Sequence, residues 1–124
     1  MRVTLPILHQ KIENNELIST ETEAVFDIDT SVYSEERWEQ NFPELAAHEG
    51  LFDYIGRLNS AVSNRVMVAC MLKALYCFME SEEIPTYKDF AKMFVLGDSA
   101  YLSKLLEKLH TTFNLILQSS STKN

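Results

Sequence analysis

Glycine, proline and cysteine are scarce here: three, three and two among 124 residues. Gly50, Gly56 and Gly97 stand alone, so no glycine-rich loop is present to cradle a phosphate. No apolar run approaches the ~20 residues that a membrane span requires. Met1-Arg2-Val3-Thr4 is not a basic region leading into an apolar one, so no secretory signal is expected. Cys70 and Cys77 fall in one apolar stretch. On a helix that spacing is a rise of about 10 Å, beyond the ~7 Å reach of a disulfide. Free buried thiols are expected, which suits a reducing cytosol. His9, His48 and His110 are far apart, and only Asp53 follows His48 at short range. A metal needs three or four converging ligands, so neither metal nor cofactor is expected. No nucleophile motif is visible, and the chain is not expected to be an enzyme. A site assembled from scattered residues is the fallback.

Basic residues are also few. Eleven Lys and Arg face eighteen Asp and Glu, a net charge of −7. That balance argues against nucleic acid, where basic groups carry the affinity. Residues 1–60 hold four basic and twelve acidic side chains, whereas residues 61–124 hold seven and six. Such a field steers a basic partner toward the N-terminal half; equally, it serves solubility alone.

What the chain does have is apolar bulk, 46% of residues, enough for the core of one domain. Val3, Leu5 and Ile7 alternate, and Pro6 favours an edge strand. Glu13-Asn14-Asn15-Glu16 reads as a turn. Ala24, Phe26 and Ile28 then alternate with acids over 22–29, which gives a hairpin laid against helices. From Ser31 the period turns helical. Ser34 is the expected cap of a short helix that Pro43 ends. A second helix is expected from Glu44 to Val62, bent or closely approached at Gly50 and Gly56. A third, capped by Ser63 or Asn64, is expected to run to Glu82 as the central helix; Ala69, Lys73, Tyr76 and Glu80 form its one row toward water. Thr86 with Asp89 opens a fourth that Gly97 stops. Asp98 caps a fifth to Leu117, seamed by Leu102, Leu105, Leu106, Leu109, Phe113 and Ile116. The expected fold is mostly α, about five helices with a small N-terminal β-hairpin, α+β by strict count. It forms one domain over 1–118 (β element 1–30, helices 31–118), with a flexible tail at 119–124.

The large side chains are the candidate partner contacts. Trp38 and Phe42 share a face of a short acidic helix, either as its anchor in the core or as a hot-spot pair. Met67, Met71 and Met79 are core, or line a groove of the adaptable kind that methionine builds. Tyr54 completes the set.

The stretch Asp27-Ile28-Asp29-Thr30-Ser31-Val32-Tyr33-Ser34-Glu35-Glu36-Arg37-Trp38-Glu39-Gln40-Asn41-Phe42-Pro43 resembles the tail assembly chaperones of long-tailed bacteriophages and prophages of Gram-positive hosts. The likeness continues at Leu51-Phe52-Asp53-Tyr54, Lys73-Ala74-Leu75-Tyr76-Cys77-Phe78, Thr86-Tyr87-Lys88-Asp89-Phe90-Ala91 and the leucine-rich last helix, so it spans residues 25 to 118. Its specific part is Tyr-x-Glu-Glu-Arg-Trp-Glu with the trailing Phe-Pro.

The resemblance implies a small helical protein of the host bacterium's cytoplasm, absent from the mature virion. Such a protein binds the tape measure protein, keeps it soluble and assists tail tube polymerisation. The resemblance further implies a longer frameshifted product whose extra domain contacts the tail tube protein. Self-association into a homo-oligomer stays open; neither nucleic acid nor membrane is an expected partner. The alternative is a small acidic phage regulatory or anti-defence protein that binds a host factor. Thr122-Lys123-Asn124 admits the slippery heptamer A-AAA-AAC. Sequencing the gene is expected to show that run with an overlapping downstream frame; a coding sequence with neither removes the frameshift.

Overall fold

The computed structural model describes residues 1–58, 63–80 and 84–121. Two strands, β1 (Arg2–Glu13) and β2 (Glu16–Asp27), precede six helices among these residues. The helices are α1 (Tyr33–Asn41), α2 (Pro43–Ala46), α3 (Leu51–Arg57), α4 (Asn64–Phe78), α5 (Tyr87–Ala91) and α6 (Ser99–Ser121). The fold is α+β, with a small N-terminal hairpin against a helical body, as the sequence implied.

The hairpin turns on Asn14 and Asn15, at φ 51° and 63°. A two-residue turn with both centres left-handed matches the twist of its strands, and Asn tolerates that region. At the open end Ile28 N–H donates to the Met1 carbonyl at 2.7 Å and the Met1 amino group returns a contact at 3.5 Å. Alternation along an antiparallel ladder then makes Pro6–Glu23 a non-hydrogen-bonded pair. The missing proline N–H therefore costs the ladder nothing. The Pro6 carbonyl points outward and accepts the Tyr101 hydroxyl at 2.7 Å, which fastens β1 to α6. Val3, Leu5, Ile7, Leu8 and Phe26 are buried at the hairpin's base, while His9 to Glu21 lie largely in solvent. Residues 16–21 belong to β2, although the alternation implied a strand only from 22. With both faces in water, that half carries no burial pattern to read.

Five of the helical expectations meet a different boundary. Ser34 is inside α1; Val32 precedes the helix, and the Ser34 hydroxyl donates to the Ser31 carbonyl at 2.8 Å. The helix expected over 44–62 is two: α2 is a single turn, and Gly50, extended at ψ 166°, separates it from α3. Val62 lies outside the described residues. The third helix ends at Phe78, because Met79 turns extended and bridges to Ile28. Asp29 N–H donates to the Phe78 carbonyl at 2.6 Å and Glu80 N–H to the Asp27 carbonyl at 3.0 Å; the expected end at Glu82 lies outside the described residues. α5 stops at Ala91, well before Gly97. The last helix runs past Leu117 to Ser121, so helix covers the start of the expected tail; Thr122-Lys123-Asn124 lie outside the described residues. The capping residues Ser63, Thr86 and Asp98 do accept from Val66, Asp89 and Tyr101 N–H.

α4 is the central helix, burying Met67, Val68, Met71, Leu72, Ala74, Leu75, Cys77 and Phe78. Tyr76, expected toward water, is buried and its hydroxyl donates to the Ile84 carbonyl at 3.1 Å. The α6 seam packs on α4, with Leu105, Leu109 and Ile116 fully enclosed and Leu106 half-buried. Cys70 and Cys77 are free thiols.

The break before α3 is made by α1. Glu35 carboxylate accepts Leu51 N–H at 2.7 Å and Phe52 N–H at 3.4 Å, so it caps a helix sixteen residues downstream. A Cβ on Gly50 would sit 3.1 Å from Glu35 Oε1. Glu35→Ala is expected to lower unfolding stability by about 1–2 kcal/mol, the scale of a lost cap. Gly50→Ala is expected to cost less in the Glu35→Ala background than alone, read as coupling in a urea double-mutant cycle. Additive effects would show that the carboxylate does not crowd this site.

Candidate partner-binding groove

The short helix α1 organises the site, since its Glu35, Arg37 and Trp38 side chains reach other elements. Arg37 Nε donates to the Cys77 carbonyl at 2.6 Å, in the last turn of α4. Its Nη2 meets Asp29 Oδ2 at 3.0 Å, and its guanidinium lies 4.9 Å from the Tyr33 ring centroid. Asp29 also accepts Ser31 N–H at 2.9 Å. The Ser31 hydrogen bonds, reinforced by Arg37, hold the Asp29 carboxyl below its usual range. Trp38 donates from Nε1 to the Glu49 carbonyl at 3.0 Å and packs against Tyr54 and Phe42. Phe42 continues to Tyr87, then Tyr76 and Phe90, so tilted and edge-on aromatic contacts run from α3 to α5.

Tyr33 and Arg37 also wall a groove of about 970 Å³ beside the base of β2. Ala24, Val25, Phe26 and Asp27 form its sheet side; Met79 and Glu80 follow α4; Ile84 and Met93 close it. A recess of about 280 Å³ shares Tyr33, Arg37 and Met79 with it and adds Gln40, Asn41, Tyr76 and Pro85. Val25 is 60% exposed and Tyr33 50%, so apolar surface is accessible at the mouth. Three charged groups border the groove. Asp27 is paired with Arg2 at 3.0 Å and Arg37 with Asp29, which leaves Glu80 on the rim.

Most of the six candidate contacts take the core position that the sequence left open. Trp38, Tyr54, Met67 and Met71 are interior, each at most 6% exposed. Phe42 is half-buried against the core. In this conformation these five hold helices together, and only Phe42 among them keeps part of its surface open. Met79 is buried too, but it lies on the groove wall. Val25, Tyr33, Ile84 and Met93 were missed. Val25 had a readable signal, since it falls between Glu23 and Asp27 on the acidic side of the alternation, and Tyr33 precedes Glu35 and Glu36.

His9, His48 and His110 are exposed and apart; His9 Nε2 lies 3.0 Å from Thr22 Oγ1. Among the described residues no His, Cys, Asp and Glu cluster could hold a metal ion. No helix there is long and apolar enough to cross a membrane. Comparison with known proteins gives no match to any family model, curated protein or solved structure.

Burial raises several acids of the core. It pushes Cys77 up to about 12 from 9.0, and Tyr101 up to about 12 from 10.0, the latter helped by the Glu21 charge. Tyr54, Tyr76 and Tyr87 rise for the same reason. A raised folded-state value means the unfolded chain releases its protons first. The stability these neutral groups contribute is complete below their unfolded values and is lost as pH climbs through the folded ones. Urea midpoints are expected to hold steady across the neutral range and fall between about pH 9 and 12. A flat profile to pH 12 would show these groups to be solvated.

Proposed function

We propose that the chain is a tail assembly chaperone of a long-tailed phage. It binds the tape measure protein, holds it soluble in the host cytoplasm and hands it to the polymerising tail tube. The observation that carries this reading is the Tyr33–Pro43 motif, within a likeness running from 25 to 118. The groove supports it physically. Tyr33 and Arg37 of that motif form one wall, and the thioethers of Met79 and Met93 form others. Methionine adapts to varied apolar shapes. A tape measure protein is long and helical, so an apolar stripe stays exposed until the tube encloses it; a groove with Val25 and Tyr33 at its mouth covers one segment of such a stripe. Repeated copies along one client give avidity from weak contacts, which tube subunits then displace. The −7 charge keeps the loaded complex in solution. Contact with the tail tube protein through a longer frameshifted product is part of the same proposal.

Co-expression with a tape measure fragment tests it. The fragment is expected to remain soluble and to co-purify with the wild-type chain. Val25→Asp changes an exposed side chain, so folding is expected to shift by less than ~0.5 kcal/mol, while capture weakens about tenfold or more. A fragment that precipitates with the wild-type chain ends the chaperone reading; undiminished capture by Val25→Asp moves the contact away from the groove.

A further inference from the structure

β1 and β2 form a two-stranded sheet whose outer half stands clear of the helices. Its two edges are unlike. β1 carries Pro6, which has no edge donor, and the Tyr101 hydroxyl occupies the Pro6 carbonyl. β2 contains no proline over its 12 residues. The alternation fixed by the Met1–Ile28 exchange turns the backbone N–H and C=O of Leu17, Ser19, Glu21 and Glu23 away from β1. Among the described residues nothing pairs with these groups. Further down the same edge, the Glu80 N–H to Asp27 carbonyl bond at 3.0 Å shows the sheet already taking a third chain on that side.

Charge selects the occupant. β2 has Glu16, Glu21, Glu23 and Asp27 and no basic residue. Glu21 is held by Lys104 from α6, so a lysine already sits against this rung. Glu16 and Glu23 are exposed and have no ion pair among the described residues. A second copy is a poor fit. Antiparallel self-pairing centred on Glu21 sets Glu21 against itself, and pairing centred on Thr20 sets Glu23 against Leu17. An extended segment with lysine or arginine at alternate positions answers Glu21 and Glu23, which share one face of the strand, while its backbone fills the edge. The addition also supplies what the arm lacks, since two strands alone are marginal in water.

We infer that the outer edge of β2 from Leu17 to Glu23 is an acceptor for an extended, basic polypeptide segment, which adds as a third, antiparallel strand. The site is separate from the groove and does not depend on the chaperone reading.

The probe is a short fluorescent peptide alternating lysine and valine. Its comparators are the glutamate counterpart and a lysine peptide N-methylated along both backbone edges, which keeps the charge and has no backbone donor for a ladder. Ser19→Pro in the full chain removes an outward donor and leaves the β1 ladder whole, as Pro6 does; Glu23→Lys reverses a rung without touching the backbone. The lysine peptide is expected to bind. Each comparator and each variant is expected to bind about tenfold more weakly or worse. Amide exchange at Leu17, Ser19, Glu21 and Glu23 is expected to slow on binding. Absence of binding overturns the inference, as does equal binding of the N-methylated peptide, which would mean charge alone. A dimer in sedimentation that Ser19→Pro dissolves would also overturn it, by making a second copy the occupant.

Discussion

The fold depends on polar side chains of one short helix satisfying backbone groups elsewhere. From α1, Glu35 caps α3, Arg37 takes the Cys77 carbonyl at the end of α4, and Trp38 takes the Glu49 carbonyl between α2 and α3. Helix ends leave such groups without partners inside the helix. Leaving one buried and unmade costs about 1–3 kcal/mol, well above the few tenths that separate most helix propensities. Three such bonds from within four residues make α1 a local hub. It has little apolar face of its own: Trp38 is its one large enclosed side chain. α1 is therefore held by what it bonds, and α2 and α3 take their positions from it.

The same hub explains why the motif residues do not form a contact surface by themselves. Trp38 is bound at Nε1 and stacked between Tyr54 and Phe42, so its apolar area is already used. Arg37 has a carbonyl, a carboxylate and a ring as partners. Tyr33 differs: Arg37 braces one part of its ring while half its surface stays open to the groove. A braced, exposed aromatic loses little entropy when a partner covers it. One motif thus both locks the helices and presents a contact.

Much of the fold was readable wherever the deciding interaction is local. Thr86 with Asp89, Asp98 with Tyr101, Ser63 with Val66 and the Asn14-Asn15 turn each act across a few positions. The readings failed where the deciding partner is far along the chain. α4 stops at Phe78 because Met79 pairs with Ile28, and the helix break at Gly50 depends on Glu35. The candidate site was less legible for a related reason. Period identifies a large apolar residue on a helix face, but not whether that face meets its own core or a partner. Met67 and Met71 have the spacing of a groove and are core. Val25 lies on the acidic side of its strand and Tyr33 opens an acidic helix, and both are exposed.

The hairpin's two halves divide anchoring from presentation. Val3, Leu5, Ile7 and Phe26 lie on one face at the base, and a slip of β1 by one residue would turn Val3, Leu5 and Ile7 out of the core. That penalty, several kcal/mol at ~1.5–3 per buried side chain, fixes the register for the whole ladder. The outer half inherits this register without packing against anything. Its Gln10–Ser19 contact at 3.3 Å is exposed, and Ile12 and Leu17 face each other in solvent at 76% and 62%. An arm whose order is set at its root keeps its edge groups in a strand's geometry before any partner arrives. Preorganisation of that kind reduces the ordering cost of binding, so a short strand needs only modest contacts to stay. An arm that had to find its own register would spend that energy on itself.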